Sequence, residues 1–225
     1  MNKIRIIAIV FASIYTYTSS AQLSEIPNQK IPLQEKQKIV FTGGAILENN
    51  LSGFFHSGVK NGSSILKTGF STGGFLNLSV TRSFSIQGEM LFHHKNSKFE
   101  WDNQKGDFSY WGLEIPIYAM YHYTFSKSNR LQIGIGPYTE FGFAAKFKHE
   151  GTKTDLYQKD KNSELPALQD SNTGFGIKAG YEFVSGFQIN TGYKISISNL
   201  LDANSSRIKM YPYAISIGVA YRFGK

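Results

Sequence analysis

The chain has 225 residues and a formal net charge of +8, with 41% hydrophobic and 18% charged residues, 22 Gly, 18 Phe, 13 Tyr and no Cys. That hydrophobic and aromatic content excludes a disordered polymer, and the length suits one domain or a small pair. Without Cys there is no disulfide scaffold, thiolate zinc site, cysteine nucleophile or lipid-modified N-terminal Cys.

Residues 1–21 read as an export signal: Lys3 and Arg5 make a basic start, Ile6 to Ile14 an apolar core, and Ser19, Ser20 and Ala21 a small-residue site before Gln22. The apolar run is far short of the roughly 20 residues that a spanning helix needs. Residues 22–37 are polar, carry Pro27 and Pro32, and are expected to form a periplasmic tail; residues 38–225 form the folded domain.

From residue 38 onward the hydrophobic period is two, and no helical stretch interrupts it. Weak alternation covers about 38–47 and 68–80. Phe84, Ile86, Met90 and Phe92 then alternate with Ser85, Gln87, Glu89 and His93. Leu113, Ile115, Ile117, Ala119, Tyr121 and Tyr123 alternate with Glu114, Pro116, Tyr118, Met120 and His122. Leu131, Ile133, Ile135, Phe141 and Phe143 share one face opposite Gln132, Gly134, Gly136, Glu140 and Gly142. Phe175 to Phe183 and Phe187 to Ile197 repeat the pattern. The last segment is the clearest, with Tyr211, Tyr213, Ile215, Ile217, Val219, Tyr221 and Phe223 on one face. Pro116, Pro137 and Pro212 cannot donate to a ladder, so each is expected to mark a bulge or break.

These segments make eight strands. Their connections alternate between tight turns at 81–83, 126–130 and 185–186 and long loops at 48–67, 96–107, 148–172 and 199–208. Short periplasmic turns and long extracellular loops are the asymmetry of an outer-membrane barrel.

Alternation is shared by soluble barrels of calycin type, whose apolar face points inward around a ligand. Side-chain size and charge separate the two. The polar face holds Gly44, Gly73, Gly134, Gly136, Gly142, Gly176, Gly180, Gly192 and Gly218, which suit a crowded interior. The apolar face carries no charge in the six clearest strands, as lipid requires where a midplane Lys or Arg costs about 2–4 kcal/mol. Tyr110, Trp111, Tyr121, Tyr123, Phe125, Tyr211, Tyr213, Tyr221 and Phe223 gather near strand ends as two aromatic girdles. The fold expected is an all-β, eight-stranded antiparallel up-and-down transmembrane β-barrel of the bacterial outer membrane.

Certain segments resemble the PorT-like outer-membrane β-barrel family. They are Leu113 to Tyr123, Ile135-Gly136-Pro137-Tyr138, Gly176 to Gly180 with Tyr181-Glu182-Phe183, and the closing Gly218-Val219-Ala220-Tyr221-Arg222-Phe223. The resemblance spans about 39–223, and its terminal aromatic is displaced by Gly224 and Lys225. It implies the same barrel fold and an accessory role in protein secretion or envelope assembly; the family is defined by its fold more than by an activity.

With the small, polar face inward, Glu89, Glu114, Glu140, Lys178, Glu182, Lys194 and Arg222 fall in the lumen. An eight-stranded interior is just wide enough for side chains to fill, so these groups should pair into an ion network that plugs it. A narrow ion path is the alternative use of the same residues.

No catalytic, cofactor or metal site is expected. His93 and His94 point to opposite faces, His122 lies at the other lumen end, and His56 and His149 fall in loops. The spacing of Gly174, Gly176 and Ala179 fits a loose phosphate-loop pattern but precedes no helix. Basic residues between 146 and 170 alternate with acids, which argues against nucleic acid. The partners expected are outer-membrane lipid and a protein meeting the long loops or the N-terminal tail, with loop 148–172 foremost.

Overall fold

A computed structural model describes residues 39–57, 63–101, 104–126, 129–149, 151–157, 168–201 and 209–223. The segments read as an export signal and a periplasmic tail lie outside them. Among the described residues nine strands occur in chain order: β1 (Val40–Ser57), β2 (Ser63–Ser79), β3 (Phe84–Trp101), β4 (Gln104–Ser126), β5 (Asn129–His149), β6 (Thr152–Asp155), β7 (Ser171–Glu182), β8 (Phe187–Ser196) and β9 (Lys209–Phe223). The sheet runs β4-β3-β2-β1-β9-β8-β7-β5, and β4 pairs with β5 to close a ring of eight. Every pairing is antiparallel. The ninth strand, β6, is a short hairpin partner on the far end of β5.

Closure leaves no free edge strand within the ring of eight, which is what lets a sheet stand in hydrocarbon. The outer face is apolar: Ile133 is 62% exposed and Ile217 63%. The inner face is polar, with Glu182 at 0% and Gln87, Gln132 and Gln188 at 1%. Ile215, Ile217 and Val219 point away from the axis, so the interior is not the apolar ligand cavity of a calycin-type barrel.

The tight connections have local causes. At the first, Thr81 Oγ1 accepts the backbone N–H groups of Ser83 (3.2 Å) and Phe84 (2.9 Å). At the third, Gly186 has φ of 89°, a left-handed conformation that a residue without Cβ adopts freely.

The strands are longer than the alternation alone marks. β1 continues through Ser57 and β2 starts at Ser63, so most of the expected 48–67 loop is paired sheet. The expected 96–107 loop is likewise a hairpin in which Trp101 pairs with Gln104. A transmembrane strand needs about 9–11 residues, and β4 has 23, so the sheet projects beyond the bilayer at the long-loop end. His56 and His149 accordingly lie in strands, and Asp107 lies in β4. The prolines also sit inside strands. Only around Pro116 does the ladder lose partners on both sides: β3 pairing skips from Ile117 to Glu114, and β5 pairing skips from Ala119 to Pro116.

Candidate functional site

Inward side chains stack in layers along the axis. Nearest the short turns, Glu182 on β7 receives both Arg130 on β5, at 2.9 and 3.1 Å, and Arg222 on β9, at 2.5 Å. Gln188 Nε2 donates to the same carboxylate at 2.9 Å. Gln132 donates to Gln188 Oε1 at 3.1 Å and to Asn190 Oδ1 at 2.9 Å, extending the layer across β5 and β8. Beside it His122 and Ser85 share a 2.7 Å hydrogen bond, and Asn77 donates to Ser85 (2.8 Å) and Gln87 (3.2 Å).

In the middle layer Lys178 Nζ lies 2.7 Å from Glu89 and 3.5 Å from Glu48. Gln87 Nε2 adds a second donor to Glu89, at 2.7 Å. Above it, Lys95 Nζ bridges Glu140 (2.6 Å) and Glu114 (3.3 Å), and Lys194 bonds Glu114 from the opposite wall. His93 Nε2 stands 3.2 Å from Glu140 Oε1 without hydrogen-bond alignment. Across the three layers five carboxylates face five cations, one to two nearest the short turns and two to one in the middle, so charge balances over the lumen as the cost of unpaired charge in a low-dielectric interior requires.

The structure gathers Glu89, Glu114, Glu140, Lys178, Glu182, Lys194 and Arg222 at the lumen, all buried. Four partners were not in the sequence-based set: Glu48, His93, Lys95 and Arg130. Glu48 was assigned to a loop because the alternation of β1 fades after Leu47. Lys95 is in phase with Glu89 and His93 on β3, so carrying that strand two residues further would have placed it.

His93, Glu114 and Glu140 offer ligand atoms within 4.8 Å of one another, a spacing that could hold a metal ion. The surroundings suit one poorly. Lys95 already donates to both carboxylates and Lys194 to Glu114, so a dication would enter beside two ammonium groups. With each carboxylate engaged by a lysine, none stands ready as a general base either.

Above the ions lies an apolar cap of Phe54, Phe108, Tyr110, Ala145, Phe147, Leu156 and Leu200, the last two from connections. Tyr110 belongs to this cap and not to a girdle: it is 3% exposed and points inward, one step out of phase with Trp111. The Phe54 and Phe108 rings meet edge to face at 5.1 Å. Backbone bonds fix the connections in place, from Leu156 N to Ala145 O (2.9 Å), Leu168 N to Leu156 O (3.0 Å) and Gln169 N to Leu200 O (2.8 Å). The described parts of residues 148–172 are therefore built into the barrel mouth. Burial under the cap pushes the Tyr157 phenol up to about 12, so it stays neutral. Between cap and ions remains a cavity of about 20 Å³ lined by Phe54, Lys95, Phe108, Tyr110, Glu140 and Leu200, room for about one water.

On the outer surface Trp111, Tyr121, Tyr123, Phe125, Tyr221 and Phe223 are exposed. Tyr211 and Tyr213 are half-buried on the same face, with Tyr213 stacked on Phe55 at 4.4 Å. Tyr121, Tyr123, Phe125, Tyr221 and Phe223 lie toward the short turns; Trp111, Tyr211 and Tyr213 lie toward the long loops.

A family model described as outer membrane protein beta-barrel domain matches residues 21–202. No curated protein matches the sequence. Among solved structures, the chain is similar to Ail, the attachment invasion locus protein of Yersinia pestis, in complex with the heparin analogue sucrose octasulfate. That match has 16% identity, covers 81% of this chain and 99% of the other, and has a TM-score of 0.43. OprG from Pseudomonas aeruginosa has 11% identity over 82% and 96%, with a TM-score of 0.49. Neisserial surface protein A has 12% identity over 80% and 96%, with a TM-score of 0.44.

Proposed function

We propose, for a chain that belongs to the outer membrane protein beta-barrel domain family and resides in the bacterial outer membrane, a non-enzymatic interaction role exerted through its long-loop end. The observation that carries this reading is the filled lumen. Three ion layers and an apolar cap occupy the axis, leaving the outward-projecting sheet and its connections as the face available to a partner. In this reading residues 1–21 serve export, 22–37 form a periplasmic tail and 38–225 form the barrel.

Within the family, the Leu113 to Tyr123 and Gly218 to Phe223 segments support a finer assignment to the PorT-like group. Participation in secretion or envelope assembly would follow from that assignment. The test replaces residues 158–167 with a Gly/Ser linker, keeping Leu156 and Leu168 so that the cap survives. Expected are normal membrane insertion, no stable single-channel conductance in planar bilayers, and loss of the partner that co-purifies with the parent in mild detergent. Stable conductance of the parent, or undiminished co-purification of the variant, overturns the reading.

A further inference from the structure

Beyond the bulge that separates Trp111 from Gly112, β5 presents Lys146 opposite Ser109 and Lys148 opposite Asp107, and β6 sets Lys153 directly opposite Lys148. All three lysines are exposed on the outer face. Two of the nearby carboxylates are already paired with other lysines. Asp107 holds Lys67 at 2.6 Å, and Glu100 sits 3.5 Å from Lys98 and 3.4 Å from Lys105. Asp155, opposite Lys146, accepts the Tyr157 N–H at 3.0 Å. Among the described residues Lys146, Lys148 and Lys153 have no ion-pair partner. Like charges directly opposite in a sheet are destabilising, so the Lys148–Lys153 pair is an arrangement that a shared anion would stabilise.

Depth identifies the anion. The lysines stand above an outward aromatic row in which Trp111 stacks on His94 at 4.4 Å and Phe143 is exposed. Two residues of strand span about 7 Å and four about 13 Å; with a tilt of about 40° the rises above the row are roughly 5 and 10 Å. The headgroup layer is about 5–7 Å thick on each side. Lys146 therefore sits within it, and Lys148 and Lys153 reach it by bending their long stems toward the bilayer. We propose that Lys146, Lys148 and Lys153 form a docking site for the phosphate groups of outer-leaflet lipid. The source is lipid because the three ammonium groups continue the same outward face that contacts hydrocarbon one turn of the pleat below.

The test uses the full barrel reconstituted in phosphatidylcholine nanodiscs doped with bis-phosphorylated lipid A or its dephosphorylated counterpart, with native mass spectrometry reading lipid retained after detergent release. The parent is expected to retain the phosphorylated lipid and not the other. K146Q/K148Q/K153Q should lose about tenfold or more of that retention, and K209Q, removing an exposed lysine on β9, should lose none. Heat-modifiable gel mobility reports folding; should the triple variant misfold, K148Q and K153Q are measured singly, each with a severalfold loss expected. Equal retention by parent and lysine variants, equal retention of both lipids, or full displacement by 10 mM inorganic phosphate would each overturn the proposal.

Discussion

Lys178 on β7 and Glu89 on β3 stand 89 residues apart in sequence and 2.7 Å apart in space, joined across the barrel axis by strands that are not neighbours. Both side chains are buried. Removing one partner leaves a charge that no water can reach. Lys178→Met should therefore destabilise the barrel by about 3–5 kcal/mol, measured by urea unfolding in lipid vesicles. K178M/E89Q should recover part of the loss, and a cost equal to or above that of the single variant would show that the pair is not coupled.

Lipid faces Ile217 near mid-strand, and Phe223 lies at the short-turn rim. Ile217→Lys should cost about 2–4 kcal/mol and Phe223→Lys no more than about 1 kcal/mol. Folding titrations into vesicles measure both, and equal costs would contradict the depth assignment.

Lumen glycines divide by what surrounds them. A Cβ at Gly106 would lie 1.9 Å from the Phe147 ring, while one at Gly136 would lie 1.8 Å from the Ile117 carbonyl oxygen. G106A should cost about 1–3 kcal/mol by overpacking, and the cost should shrink in G106A/F147A measured against F147A. For G136A no side-chain truncation provides relief, because the obstacle is backbone. Thermal shifts of heat-modifiable gel mobility discriminate the two cases.

Phe108 closes the cap over the ion layers. Phe108→Ala should lower stability by about 3–5 kcal/mol without opening a conducting path, because the Lys95–Glu140 and Lys178–Glu89 contacts remain below it. Single-channel recording at high salt checks the second half, and discrete openings in F108A would place the seal in the cap instead of the ions.

Much of the barrel was legible because lipid imposes a strict rule on alternate residues. Ile215, Ile217 and Val219 could only face hydrocarbon if Ser216 and Gly218 faced the axis, and the structure has that phase. The rule ends where the bilayer ends. Past Leu47 on β1 and His94 on β3, the outward positions carry Asn49, Asn96 and Lys98, so the alternation fades although the backbone pairing continues. Glu48 and Lys95 were missed on that account, and Tyr110 was misread because aromatic character alone does not state which face a residue takes.

By itself the sequence determined the number of strands in the closed ring and which face meets lipid, both consequences of residues two apart sharing a side. Which carboxylate met which cation, and that Leu156 and Leu200 would join Phe54 and Phe108 as a cap, were decided only when eight strands closed. Those contacts join residues far apart in the chain, and their partners depend on shear and register, quantities that no local pattern encodes.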